Sequence, residues 1–203
     1  MKFIIATHNA KKLAELSRIL LPLGVDAVTD EQIGLRLDEV EETGVTFEEN
    51  ALIKARAACE QTGFLAVADD SGLEVDALGG APGVYSARYG APEAVTDSDR
   101  NALLLRNMMA VAGGNRTARF VSVVCAVFPD GSEIMARGEC EGVIGTEPSG
   151  DGGFGYDPLF LLEDGTSFAE ISPARKDEVS HRGAALRKFV PMLEDALARM
   201  GCE

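Results

Sequence analysis

The sequence predicts an α/β protein with a mixed central sheet flanked by helices, and three observations carry that prediction. Short apolar runs of strand length alternate with longer stretches whose apolar residues recur at helical spacing. The opening unit reads strand, loop, helix. Two later strand patterns, 119–128 and 132–140, are joined by Pro129-Asp130-Gly131, whose fixed proline torsion and permissive glycine suit a hairpin turn.

In order, Phe3-Ile4-Ile5-Ala6 is the first strand, stopping at Thr7-His8-Asn9. A helix follows with Asn9 as N-cap; Leu13, Leu16, Ile19, Leu20 and Leu23 form its apolar face, and Pro22 with Gly24 marks its end. Val25 to Val28 suits a second strand. Residues 30–49, with eight acids against Arg36, read as loop. Thr46-Phe47-Glu48-Glu49 is a capping box opening a helix to about Gln61, with Ala51, Leu52, Ala55, Ala58 and Cys59 on its buried face and Gly63 closing it.

Phe64 to Ala68 reads as an inner strand ended by Asp69-Asp70-Ser71-Gly72, and Leu73 to Leu78 as a separate, more exposed strand. Gly79-Gly80-Ala81-Pro82-Gly83 enforces an irregular loop, and 97–110 is the third helix. Six glycines between Gly142 and Asp157 predict tight turns or backbone close to a ligand. Leu159 to Leu162 suits a strand. Ser180 caps a last helix along Leu186, Phe189, Leu193, Leu197 and Met200, which Pro191 is expected to kink or interrupt.

With 203 residues, 46% of them hydrophobic and 26% charged, the chain is expected to fold as one domain over 1–203. Against 33 acids stand 19 Lys and Arg, a formal charge of -14 that repels nucleic-acid polymers and anionic membranes. Four cysteines without a C-x-x-C pair exclude a zinc ribbon, and with the short apolar start they predict a soluble, cytoplasmic protein.

Five constellations can carry chemistry. Thr7, His8, Asn9, Lys11 and Lys12 gather N–H groups, a helix dipole and two ammonium groups at one helix start, which suits a phosphate or simply a solvated cap; no Walker motif is present. Asp69 and Asp70 end a buried strand, where alternation sends them to opposite sides, so either they have different roles, one of them Mg2+ binding, or they cap a turn. Glu41 and Glu42 offer a further oxygen ligand or a solvated acidic surface. Gly152 to Asp157 places Phe154 and Tyr156 where a ring can stack on a base or anchor the loop, and Lys176 with Ser180-His181-Arg182 supplies donors for an oxo group or phosphate.

Taken together these segments resemble the non-canonical purine NTP pyrophosphatases, the dITP/XTP or inosine triphosphate pyrophosphatases. The resemblance is carried by Ala6-Thr7-His8-Asn9 with Lys12, by Glu41 to Phe47 with Asn50-Ala51, and by Ala68 to Leu73. Gly79 to Tyr89, Gly152 to Asp157 and Ser180 to Gly183 complete the set. Lys11 stands where many relatives have glycine, and Pro191 is atypical of the last helix.

The resemblance implies two lobes around a central cleft, a homodimer, and a Mg2+-dependent hydrolase cleaving a purine nucleoside triphosphate to the monophosphate and pyrophosphate. It implies Asp70 as general base or metal-linked residue, Glu41 as its Mg2+ partner and Asp69 as a close helper. Thr7, His8, Asn9, Lys11 and Lys12, with Ser71 and Arg88, would hold the triphosphate. Phe154, Gly155, Tyr156, Asp157, Lys176, His181 and Arg182 would shape the base and sugar pocket. Two alternatives stand beside it: a Maf-type pyrophosphatase acting on other bases, and a non-catalytic nucleotide sensor.

Overall fold

The computed structural model describes residues 2–7, 9–20, 26–29, 32, 34–38, 40–111 and 115–201. The chain runs β1 (Lys2–Ile5), α1 (Ala10–Leu20), β2 (Asp26–Val28), α2 (Phe47–Thr62) and β3 (Ala66–Val75). There follow α3 (Asp97–Asn107), β4 (Thr117–Val127), β5 (Glu133–Ile144), β6 (Phe160–Leu161), α4 (Pro173–Val179) and α5 (His181–Arg199). The strands form one sheet in the order β2-β1-β3-β4-β5-β6. β1 is parallel to both neighbours, with Phe3 opposite Ala27 and Ile4 opposite Ala66, whereas β5 and β6 are antiparallel, with Ile144 opposite Phe160. The sheet is therefore mixed. Among the described residues no helix is long and apolar enough to cross a membrane.

Two compact units share this chain: Met1–Asp70 with Ser122–Gly138 and His181–Glu203, and Ser71–Val121 with Glu139–Ser180. In unit 1, Phe3 and Ile5 of β1 pack with Leu16 and Leu20 of α1 and with Ala185, Leu186, Phe189 and Leu193 of α5. Each such large side chain taken out of water stabilises the fold by about 1.5–3 kcal/mol. The apolar spacing of α1 thus has its reason in this core. Its expected stop at Pro22, Leu23 and Gly24 lies outside the described residues, as do His8, Val25 and Cys202.

α2 starts where its capping box predicts, with Thr46 Oγ1 accepting from the Glu49 N–H at 3.2 Å and Glu49 Oε2 accepting from the Thr46 N–H at 3.2 Å. It ends at Gly63, whose φ of 70° suits a residue lacking Cβ. α5 passes through Pro191 without interruption. Pro191 is exposed while Phe189, Val190 and Leu193 are buried, so packing holds the helix and water can serve the carbonyl that proline leaves without a donor. Gly138 of β5 touches the first turn of α5: a Cβ there would overlap the Ala185 amide nitrogen and the His181 carbonyl oxygen. That close approach fixes where His181 and Arg182 begin the helix.

In unit 2, Leu73 and Val75 join Leu104, Met108, Phe120, Tyr156, Phe160 and Phe168 in a second core, with the rings of Phe120, Phe160 and Phe168 4.7–5.6 Å apart. This corrects two sequence expectations. Asp69 to Gly72 do not end a strand but lie inside β3, and Leu73 and Val75 are fully buried rather than more exposed. Turn-forming residue types are overridden here because the two carboxylates find cationic partners on neighbouring helices. α3 is shorter than its pattern, ending at Asn107, and α4 was not anticipated. The Pro129-Asp130-Gly131 turn forms, with the Phe128 N–H donating to the Ser132 carbonyl at 2.9 Å.

Candidate active site

At the start of α1 the Asn9 side chain accepts from the backbone N–H of Lys11 at 3.0 Å and of Lys12 at 3.2 Å, while Thr7 Oγ1 accepts from the Asn9 N–H at 3.2 Å. The loop is thereby ordered by its own side chains. Lys12 turns inward, and its Nζ lies 2.9 Å from Asp69 Oδ2. Lys11 is exposed.

Asp69 is enclosed by cations. Besides Lys12 it meets Arg182, whose guanidinium nitrogens lie 3.4 Å from both carboxylate oxygens, and it accepts from Ser122 Oγ at 2.5 Å. Arg182 is itself fully buried and ion-paired through Nη1 to Glu15 of α1. Burial alone would raise the Asp69 pKa, but the charges of Arg182 and Lys12, helped by Ser122, hold it well below the usual carboxylate range. Two cations thus balance two carboxylates in a dry setting, where losing one partner is costly.

Asp70, the next residue, has another set of partners. Its Oδ1 accepts from Lys54 Nζ of α2 at 2.8 Å, and the same ammonium reaches Glu42 Oε1 at 2.9 Å. Oδ2 is buried without a hydrogen-bond partner. Burial pushes the Asp70 carboxyl above its ordinary value, against the pull of Lys54 and Lys12. Burial likewise opposes the charge on Lys54, yet Asp70 and Glu42 outweigh it and raise its pKa. One ammonium between two carboxylates leaves an excess of negative charge and an open oxygen acceptor, a donor set suited to a hard divalent cation. Among the described residues no group of three or more His, Cys, Asp or Glu side chains gathers as a ready metal cage. Glu42 is placed by its loop: Asn50 Oδ1 accepts from the Gly44 N–H at 2.8 Å, one helical turn before Lys54.

Unit 2 holds the other group. Asp157 Oδ2 accepts from the Phe154 N–H at 2.8 Å and from Lys176 Nζ at 2.6 Å, and Lys176 stands over the Phe154 ring, 4.7 Å from its centroid. The Tyr156 hydroxyl donates to the Ser86 carbonyl at 2.9 Å, and burial pushes its pKa up, so it stays neutral. Gly155, at φ 60°, has its N–H on Asp97 Oδ2 at 2.8 Å and its carbonyl on Asn101 Nδ2 at 3.0 Å. Tyr156 and Asp157 are buried, whereas Phe154 is half-buried. Of the ring pair, Tyr156 anchors the loop and Phe154 is the accessible face.

The residues singled out in the sequence therefore form two groups. Thr7, Asn9, Lys11, Lys12, Glu41, Asp69, Asp70, His181 and Arg182 belong to unit 1; Ser71, Arg88, Phe154, Gly155, Tyr156, Asp157 and Lys176 belong to unit 2. Arg182 sits with Lys12 and Asp69. Glu41 is exposed, and Glu42 is the neighbour that shares Lys54 with Asp70. Arg88 is exposed with its guanidinium 5.1 Å from the Tyr85 ring centroid, and Ser71 is half-buried. Sequence reasoning missed Lys54, Glu15, Ser122, Asp97 and Asn101. Lys54 carried one signal, being a cation set between the buried alanines 51, 55 and 58 of α2.

A family model described as the Ham1 family matches residues 3–192. The chain is 51% identical over 197 residues to a protein of Nocardia farcinica named dITP/XTP pyrophosphatase, covering 95% of this chain and 94% of that one. It is 49% identical to a Thermus thermophilus protein of the same name, covering 96% and 93%. Among solved structures, a HAM1 protein from Coxiella burnetii superposes with a TM-score of 0.86 at 38% identity, covering 96% of this chain and 99% of that one. A nucleoside-triphosphatase / dITP/XTP pyrophosphatase from Mycobacterium abscessus gives 0.77 at 46% identity, covering 95% and 100%. With this likeness running nearly end to end, at sequence and fold level alike, the chain belongs to the Ham1 family.

Proposed function

We propose that this protein hydrolyses non-canonical purine nucleoside triphosphates, dITP, ITP and XTP, to the monophosphate and pyrophosphate. The observation that carries the reading is the split between adjacent aspartates: Asp69 locked as an anion by Lys12 and Arg182, and Asp70 raised in pKa with one oxygen unpaired. Two neighbouring carboxylates with pKa values pushed apart suit separate structural and proton-accepting roles. Dimerisation and a cytoplasmic location belong to the same proposal; sedimentation tests the first.

In this mechanism Asp70 takes a proton from the attacking water, whose oxygen bonds to the α-phosphorus as the α–β bridging bond breaks and pyrophosphate departs. Asp70 and Glu42 would hold the divalent ion, proposed to be Mg2+, which when bound offsets phosphate charge and supports the leaving group. Glu41, exposed beside Glu42, is the further carboxylate that would serve such an ion in this proposal. Lys12, with the loop of Thr7, His8, Asn9 and Lys11, grips the triphosphate. Lys54 keeps the two acids together and neutralises part of their charge.

Phe154 offers its face to the base, backed by Lys176 and Asp157, with Gly155 and Tyr156 setting the loop. A hypoxanthine or xanthine carries an oxo group at the six position where adenine carries an amino group. A pocket that donates there leaves its donors unpaired against ATP, which lowers turnover of that competitor. Pyrophosphate release from ITP, measured with Mg2+ and again with excess chelator, tests the activity. Release that persists in chelator removes the metal role, and no release in either condition removes the hydrolase.

A further inference from the structure

We infer that Asn101 and Asp97 of α3 are positioning residues for base recognition, acting through the Gly155 peptide on the ring of Phe154. The inference rests on the proposal that the 152–157 loop receives the base. Both backbone hydrogen-bonding groups of one residue, and so the peptides on either side of it, are held from one helix: Asp97 Oδ2 accepts from the Gly155 N–H at 2.8 Å and Asn101 Nδ2 donates to the Gly155 carbonyl at 3.0 Å. Residues 97 and 101 are four apart and so lie on the same face of α3. Gly155 joins Phe154 to Tyr156, so rotation of the peptides flanking it displaces the Phe154 side chain.

The remaining described bonds of the loop fall on its other residues. Tyr156 is tied to Ser86, the Phe154 N–H and Lys176 converge on Asp157, and the Phe154 carbonyl accepts from the Asp157 N–H at 3.2 Å, whereas the N–H and carbonyl of Gly155 itself are held, among the described bonds, from α3. Helix α3 is itself well fixed, with Thr96 and Asp99 forming a capping box and Leu104 and Met108 buried in the unit 2 core. Asp97 is further braced by Arg100, whose Nη2 lies 2.5 Å from Asp97 Oδ1.

Packing does not account for Asn101. It is buried at 8% exposure beside an apolar core, and its Oδ1 has no hydrogen-bond partner. A leucine would fill such a position without stranding an acceptor. What an apolar residue cannot do is hold the Gly155 carbonyl.

The test uses the full chain, Mg2+ and ITP, with Asn101→Leu, Phe154→Ala, the double variant, Asp97→Ala and Asp97→Asn. Asn101→Leu and Asp97→Ala should each raise KM for ITP about tenfold with kcat within about threefold, since misplacing a binding ring weakens ground-state capture. Asp97→Asn keeps an acceptor for the Gly155 N–H and should restore KM. The double variant should be no worse than Phe154→Ala, because Asn101 acts through that ring; residues acting independently would multiply their effects. A multiplied KM in the double variant, or an unchanged KM in both Asn101→Leu and Asp97→Ala, overturns the inference while leaving the base loop in place. An unchanged KM in Phe154→Ala overturns the base loop and this inference with it. Asp97, at the exposed start of α3, keeps the test available if Asn101→Leu does not fold.

Discussion

Asp69 and Asp70 are consecutive in β3, yet Asp69 is held by Lys12, Arg182 and Ser122 while Asp70 accepts a hydrogen bond from Lys54. Strand alternation sends the two side chains to opposite sides, and the two environments move their pKa values in opposite directions. The proposed base is the one whose burial is less fully compensated.

Asp70 must be ionised to accept a proton, and burial raises its pKa despite Lys54 and Lys12. The kcat/KM for ITP should therefore rise with pH through a limb placed above the ordinary carboxylate value of about 4. A pH profile at saturating Mg2+ checks this. Asp70→Asn should lower kcat by about a thousandfold without lowering the melting temperature, because it removes a charge that burial opposes.

Lys54 offsets part of the burial effect on Asp70, so Lys54→Ala should move that rising limb to higher pH. It also leaves Asp70 and Glu42 without their shared cation. The variant should lose about 1–3 kcal/mol of stability in urea unfolding at neutral pH, with part restored by added Mg2+.

Asp69 behaves in the opposite sense. Its pKa is depressed on folding, so its ionised form stabilises the protein above the unfolded carboxylate range and that contribution is lost as pH falls toward the depressed value. Asp69→Asn strands Arg182 and Lys12 and should cost about 3–5 kcal/mol at neutral pH. The gap in unfolding free energy between wild type and variant should narrow as pH drops below about 4.

Gly44 lies in the loop carrying Glu42, and a Cβ there would stand 2.6 Å from both Asn50 Oδ1 and Glu49 Cβ. Gly44→Ala should shift the loop and displace Glu42. The Mg2+ concentration for half-maximal activity should increase at least about tenfold, as for other disturbances behind a metal ligand, with the α2 helix intact by circular dichroism.

Much of this fold was legible in local patterns. The Thr46 capping box, the Asn9 cap, the Gly63 stop and the Pro129-Asp130-Gly131 hairpin depend on neighbours a few residues away, and each forms as its spacing predicts. Where partners are distant, local signals mislead. Asp69 to Gly72 carry turn residues, but Lys12, Lys54 and Arg182, from three different helices, pair with the acids and let β3 run on.

The site follows the same division. Lys12 and the Phe154 to Asp157 loop announce themselves by motif, whereas Glu15 is an ordinary polar position of an amphipathic helix until Arg182 is seen against it. Glu41 and Glu42 are indistinguishable in composition, and the Lys54 ammonium is what separates them. Asn101 resembles any polar residue of a short helix, since its partner lies 54 positions away.

The central claim is tested most directly by kcat/KM for pyrophosphate release from ITP, dITP, XTP, ATP and GTP, assayed side by side with Mg2+. The first three should exceed ATP and GTP by roughly 100-fold or more. Equal turnover of all five would contradict it.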